Sequence, residues 1–398
     1  MEQISVQPCQ NYGIEQVRRS LFDVLDRLKG PDPIIRPGEQ VLLKVNNIGP
    51  YPPEQCATTH PAIVEAMIDW VFDRGGHPIV GDGPIALPQR KPFDVSGIAE
   101  VCSRRGVPLI NFTSPETRFS EYAAVNARKE RMFSLPAMLA VVDAIINLPK
   151  LKTHDLTLFT GGVKNMFGLT PFYSRMTFHR KYPGENEFST MLADLYSLVE
   201  KKIRLCVMDA IQCMEGDGPI HGYPKSVGLI IAARDSVLVD ALCAHIVGIG
   251  PARYSITRIM ADQHGGQSEL AEVVEAGRTA SGFAGHSQFV LPSTTMKITG
   301  RFRQYLPKAV LKYRPIIQID RCTRCRACVI HCPAQALSLV HDRVVLKSSR
   351  CIECYCCMEA CETGALRIEG YLLNSRRIFY AVRRLKSWLM GKFMRNWF

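Results

Sequence analysis

The sequence predicts an α/β fold, a mostly parallel sheet with flanking helices, followed by a small cysteine-rich α+β domain. Three observations predict it. Short apolar, β-branched runs alternate with amphipathic segments from residue 40 to about 250. Nine of the fifteen cysteines fall between Cys322 and Cys361. Charge is divided as unevenly: residues 301–398 hold 19 Lys and Arg against 6 Asp and Glu, while the first 300 residues hold 30 basic and 31 acidic groups. The boundaries that follow are an α/β domain over 1–300 with its core at about 38–255, a basic connector over 301–315, the cysteine-rich domain over 316–370, and a basic tail over 371–398.

The elements follow in order. QVLLKVNNI (40–48) has the length and branching of a buried strand. TTHPAIVEAMIDWVFDRGG then predicts a helix, with Thr59 as N-cap, Pro61 in the first turn, and Ile63, Ala66, Met67, Trp70 and Val71 at helical spacing. Gly75 or Gly76 stops it. HPIVGDG (77–83), VPLINF (107–112), VVDAIINLP (141–149), IRLCVMDAI (203–211) and VGLIIAA (227–233) repeat the strand signal. EFSTMLADLYSLVEKK (187–202) and DSVLVDALCAHIVG (235–248) repeat the helical one. QFVLPSTTMKITG (288–300) predicts a closing edge strand. A hydrophobic fraction of 46% with 22% charged residues places the chain among ordinary globular proteins. The start lacks the basic and apolar pattern of a signal peptide, and no apolar run reaches membrane-spanning length, so a cytoplasmic location is expected. In that compartment thiols stay reduced, and the six scattered cysteines are expected to be small core residues.

The clustered cysteines carry the strongest chemistry. Cys322, Cys325, Cys328 and Cys332 follow the bacterial ferredoxin spacing, and Cys351, Cys354, Cys357 and Cys361 repeat it. Spacing by two lets one tight loop present three sulfurs to a cubane, while the fourth cysteine reaches across to the other cluster. The expected cofactors are therefore two 4Fe-4S clusters. One is held by Cys322, Cys325, Cys328 and Cys361, the other by Cys351, Cys354, Cys357 and Cys332. Zinc sites use paired knuckles rather than two four-cysteine runs, so zinc is disfavoured. Cys356 is the surplus thiol. Residues 316–370 thus resemble the two-cluster ferredoxin-type domains, and the resemblance implies a ferredoxin-like α+β fold and electron transfer. Arg321, Arg324, Arg326 and Arg350 flank the ligands and should raise the cluster potentials.

In the first domain, INLPKLKTHDLTLFTGGVKNMFGLTP (146–171) concentrates Lys150, Lys152, His154 and Lys164 around Gly161 and Gly162. Ligands of open α/β sheets bind at the carboxyl ends of strands, where IINLP would deliver these side chains. Backbone amides at the glycine pair, with Lys164, could hold an anion. Lys44 and Asn46 end the earlier strand, and Asp209 with Glu215, Asp217 and Gly218 forms a polar turn after a later one. Neither a dinucleotide fingerprint nor a phosphate-binding Walker loop is present.

The motifs TTHP, LPKLKTH, GGVKNMFG and MEGDGP, in this order, resemble the domain-of-unknown-function family 362 over roughly residues 38–255. The resemblance implies an α/β domain in an iron–sulfur protein, with no reaction attached. Its matched positions are Lys44, His60, Lys152, His154, Lys164, Asn165, Glu215 and Gly218. The leading expectation is an oxidoreductase that relays electrons from a protein carrier to an acidic small molecule. Lys44, Lys150, Lys152 and Lys164 would neutralise the substrate, and His154 would exchange its proton. A non-catalytic electron-transfer subunit and a non-redox enzyme with structural or sensing clusters are the alternatives. The tail from Ser375 to Phe398 carries seven Lys and Arg and no acid, with Ile378, Val382, Leu385, Leu389, Phe393 and Trp397 toward one side. That pattern suits an interfacial helix, giving peripheral contact with the inner face of a membrane, or a helix docked on the protein itself. No recognition fold favours nucleic acid.

Overall fold

A computed structural model of the chain describes residues 4–28, 30, 32–85, 91–250, 252–261, 275, 289–292 and 313–370. The tail, the connector up to residue 312, and residues 293–300 of the expected edge strand lie outside them. The described residues form two compact units divided after Pro292.

The first unit holds β1 (Ile4–Pro8), β2 (Gln40–Val45), β3 (His77–Asp82), β4 (Leu109–Asn111), β5 (Phe119–Ala123), β6 (Met132–Pro136), β7 (Ala144–Leu148), β8 (Lys150–His154), β9 (Leu158–Thr160), β10 (Ile203–Glu215) and β11 (Tyr223–Ala233). The main sheet runs β1-β11-β10-β7-β2-β3-β4. Its β10, β7, β2, β3 and β4 are parallel, and β11 runs antiparallel between β10 and the edge strand β1. β8 continues from β7, pairs parallel with β10, and folds back on β9. β5 and β6 form a separate hairpin.

Alternation along β2 explains why both faces are covered. Val41, Leu43 and Val45 enter one core with helices Ile14–Arg27 and Pro61–Phe72, and Leu42 enters the other with helices Glu185–Val199 and Ser236–Val247. Helix Pro61–Phe72 is capped by His60, whose Nδ1 accepts from the Ala62 amide at 3.1 Å, rather than by Thr59. The Thr59 hydroxyl instead donates to the Leu148 carbonyl at the end of β7. Phe289–Pro292 form no strand. The strand that closes the sheet is β1, whose five residues show little periodicity in the sequence. All six scattered cysteines are buried.

The second unit holds β12 (Tyr313–Ile317), β13 (Leu337–Val340), β14 (Arg343–Leu346) and β15 (Leu366–Gly370), so strand structure begins inside the expected connector. Its two halves repeat at an offset of 29 residues, Cys322 against Cys351 and Cys332 against Cys361. The backbone repeats with them. Arg324 and Arg326 take left-handed φ values of 60° and 62°, and their counterparts Glu353 and Tyr355 take 59° and 61°. Short helices Ala327–Ile330 and Cys356–Glu359 follow at matching places. The strands are exchanged: β12 of the first half pairs with β15 of the second, and β13 with β14.

Candidate functional site

In the second unit, each cysteine loop contains a left-handed pair of non-glycine residues, a conformation that L-residues adopt at a cost of about 1–2 kcal/mol each. A small pocket, with a cavity volume of about 20 Å³, is lined by Cys332, Cys351, Cys354 and Cys357 with apolar Pro333, Ile352, Leu337 and Leu346. Those four thiols are the set expected for one cluster, including the cysteine contributed by the first half. The four thiols and the mostly apolar lining fit an iron–sulfur cluster, with Glu353 the one carboxylate among the other residues that line it. Around the other centre, Cys328 and Cys361 are buried, Cys322 is half-buried and Cys325 is exposed. Burial pushes the Cys328 thiol up to about 11, with Cys361, Cys325 and Cys322 adding to the shift as close negative neighbours. Cys356 occupies the place of buried Ala327 in the first half, at the start of the short helix. Its thiol lies 3.9 Å from the Cys354 carbonyl.

In the first unit, two buried ion pairs stand at the carboxyl edge of the sheet. Lys44 Nζ lies 2.6 Å from Asp82 Oδ1 and donates to the Val45 carbonyl at 2.8 Å. Burial lowers the Lys44 pKa, with Asp82 opposing and Arg175 adding to the shift. Asn165 bridges two strands here, its Nδ2 donating to the Lys44 carbonyl and to Asn147 Oδ1. Beyond β7, Lys150 Nζ lies 2.9 Å from Asp209 Oδ2 and donates to the Tyr12 hydroxyl at 2.7 Å. Tyr12 in turn donates to Asp209 Oδ1 at 2.7 Å, and its ring stacks on His60 with centroids 3.5 Å apart. Burial drives the His60 pKa down to about 4, Asp209 pulling it up and Lys150 pushing it down, so this imidazole is neutral near pH 7.

Lys150, Lys152 and His154 do not hang from the end of the preceding strand as the sequence suggested. They form a strand of their own, β8, because Pro149 interrupts the run and β10 extends far enough to pair with its continuation. Lys152 Nζ donates to the Ala57 carbonyl of the segment 46–60, which also reaches β7 through Thr59 and carries His60, whose amide donates to Asp209. His154 Nδ1 accepts from the amides of Leu156 and Thr157 at 3.1 and 3.4 Å, which leaves its proton on Nε2. Asn46 brings Oδ1 to the same edge, buried and without a hydrogen-bond partner. Lys164 is half-buried on helix Gly162–Asn165. Glu215 turns toward Lys225, 3.5 Å away, and accepts from the Val290 amide. Gly218 passes so close to the Thr153 carbonyl that a Cβ would collide with it.

The amides at the glycine pair are taken by a carboxyl of the protein itself. Asp240 accepts from the Gly162 and Val163 amides at 2.5 and 3.2 Å, and a Cβ on Gly161 would strike its carboxylate. Burial raises the Asp240 pKa from 3.8 to about 7, against the two amide bonds, which lower it. A carboxyl whose folded pKa lies above its unfolded value favours folding while protonated and loses that contribution as pH rises through the folded value. Wild type should therefore lose stability relative to Asp240→Asn as pH rises from about 4 to about 7, and the difference should level off above that. Denaturant midpoints of the two proteins across that range check it.

Asp82 and Asp209, which the sequence puts at strand ends without naming their partners, complete the edge together with Tyr12 and Asn147, which it does not place there. Asp82 and Lys44, each near the end of an apolar strand, were a readable signal. Tyr12 gave none, since it lies in a polar stretch about 200 residues from its carboxylate.

The sequence model of the family described as Domain of unknown function (DUF362) matches residues 41–245, and that of the 4Fe-4S dicluster domain matches residues 314–362. Thylakoid-associated protein sll1697 of Synechocystis sp. is 32% identical over 255 residues, which are 63% of this chain and 76% of that protein. Lactate racemase apoprotein from Thermoanaerobacterium thermosaccharolyticum aligns with a TM-score of 0.38 and 11% identity, over 62% of this chain and 57% of the other. No helix among the described residues is long and apolar enough to cross a membrane. The chain belongs to the DUF362 family and carries at its C-terminal side a 4Fe-4S dicluster domain, which makes it an iron–sulfur protein.

Proposed function

We propose that this protein is an iron–sulfur oxidoreductase whose two 4Fe-4S clusters relay single electrons between a carrier protein and an acidic small molecule held at the carboxyl edge of the α/β sheet. One cluster is bound by Cys322, Cys325, Cys328 and Cys361 and the other by Cys332, Cys351, Cys354 and Cys357. The observation that carries the reading is the convergence of the second set of four thiols on one small, mostly apolar pocket. The clusters supply one-electron chemistry. At the sheet edge, Lys44 and Lys150 are matched by Asp82 and Asp209, so their role narrows to holding the strands and the covering segment in place. Lys152 and Lys164 supply the positive charge that orients the substrate, and His154, with its proton on Nε2, donates to it.

The test is anaerobic purification of holoprotein followed by mass spectrometry of the small molecules it retains. An acidic compound should accompany wild type and fall at least about tenfold in Lys152→Met, with iron content unchanged. Equal retention by both proteins removes the substrate role of this edge. It would favour the second reading, a non-catalytic electron-transfer subunit, which the internal neutralisation of Lys44 and Lys150 supports.

The tail adds peripheral membrane contact to this proposal. Its seven cations and apolar stripe suit an anionic surface, and the name of the Synechocystis relative points the same way. Full-length protein should sediment with vesicles containing phosphatidylserine at low salt, and protein ending at residue 370 should stay in the supernatant.

A further inference from the structure

We propose that the exposed loop around Cys325 is the docking face for an acidic one-electron carrier protein, and that the first cluster is the port through which electrons pass. This rests on the electron-relay reading. Because the two halves of the dicluster unit share spacing and backbone turns, the places where they differ are informative. Arg324 and Arg326 in the first loop stand where the second has Glu353 and Tyr355. Arg321, Arg324, Cys325 and Arg326 are all exposed, whereas Cys354 and Tyr355 are buried and Glu353 is half-buried. One ligand of the first centre therefore reaches the surface, while its counterpart is sealed.

The surroundings of Cys325 have the make-up of a contact surface. Arg321, Arg324 and Arg326 form no ion pair with any described residue. Asp320 is the one acid between Ile319 and Ile330, and those two isoleucines are 64% and 56% exposed. Apolar side chains beside unpaired arginines are what protein interfaces enrich, and electron-transfer complexes bury little area. The sign of the rim selects an acidic partner and repels a basic one. The chain's own residues 371–398 share the sign of the face. In the transfer itself the reduced carrier loses one electron, the first cluster gains it, and no bond forms or breaks.

The experiment uses anaerobically prepared full-length holoprotein and flavodoxin, an acidic one-electron carrier, as the probe. Titrating oxidised flavodoxin against oxidised protein reads docking without electron transfer, and stopped-flow mixing with reduced flavodoxin reads the transfer. The triple variant Arg321→Gln, Arg324→Gln, Arg326→Gln is compared with Arg343→Gln, Lys347→Gln, Arg350→Gln, which removes the same charge from the second half. The first triple should weaken docking and slow association about tenfold or more at low salt, and should flatten the salt dependence. The second should change either by no more than about twofold, and iron content and the electron-paramagnetic signal of the reduced clusters should be unaltered in both. Equal losses in the two triples, or none in the first, overturn the docking face. So does an arginine-dependent attachment to phosphatidylserine vesicles with flavodoxin binding intact. Arginine-dependent docking with no electron reaching clusters of accessible potential leaves the face standing and brings down the relay reading instead.

Discussion

Asp209→Ala should destabilise the α/β unit by about 3–5 kcal/mol, a large part of the 5–15 kcal/mol that holds a typical domain folded. The carboxylate is fully buried between Lys150 Nζ, the Tyr12 hydroxyl and the His60 and Ile211 amides, so its loss removes the acceptor of four donors at once, one of them charged. An unpaired ammonium away from water costs far more than a vacant methyl-sized space. Replacing both partners, as Lys150→Met with Asp209→Leu, should recover most of the loss, because the desolvated charges disappear together. Denaturant unfolding followed by far-ultraviolet circular dichroism measures the difference. A double variant as unstable as the single one would show that the polar network as a whole, rather than the stranded charge, sets the cost.

In the dicluster unit the decisive result comes from choosing which cysteines to remove in pairs. Cys332→Ala with Cys354→Ala should leave one intact cluster and about half of the roughly eight irons of the wild type, since both thiols line one cavity. Cys332→Ala with Cys328→Ala should damage both clusters and lose nearly all of the iron, although these two belong to the same half of the sequence. If ligands stayed within their own halves, the two outcomes would be exchanged. Iron analysis and the paramagnetic spectrum of the reduced protein separate the cases. Cys328, Cys357 and Cys361 also belong to the small apolar core with Leu337, Leu366 and Met358, so metal loss should loosen the fold as well.

The parallel strands were legible because runs such as QVLLKV are buried on both faces, which gives a continuous apolar signal. The cysteine register was legible because cubane geometry fixes the spacing. Less could be read where tertiary context overrode local pattern. KLKTH has too few apolar residues to announce a strand, yet all five residues of β8 are buried because β10 and β9 pair with it and loop 46–60 supplies a carbonyl for Lys152. The lysines of the edge were legible as residues but not as partners. Asp82 and Asp209 lie 38 and 59 positions from the cations they match, and no periodicity connects them. The glycine pair was likewise read as an anion cradle before it could be known that Asp240, on a helix that follows two further strands, supplies a carboxyl there.

The exchanged strands of the dicluster unit have a mechanical consequence. Tyr313 and Gly370 are register partners at the outer end of the β12–β15 ladder, so residues 313 and 370, the ends of the described dicluster segment, lie side by side. Tension applied through residues 313 and 370 would not load the five paired positions side by side. It would part them in sequence, Arg314 from Glu369 and then Pro315 from Ile368, as a zipper opens. Only after Ile317 parts from Leu366 would the pull reach the loops that hold the cysteines, Cys322 on one side and Cys361 on the other. A pulling experiment should accordingly show a weak early extension followed by a stiff event that requires iron.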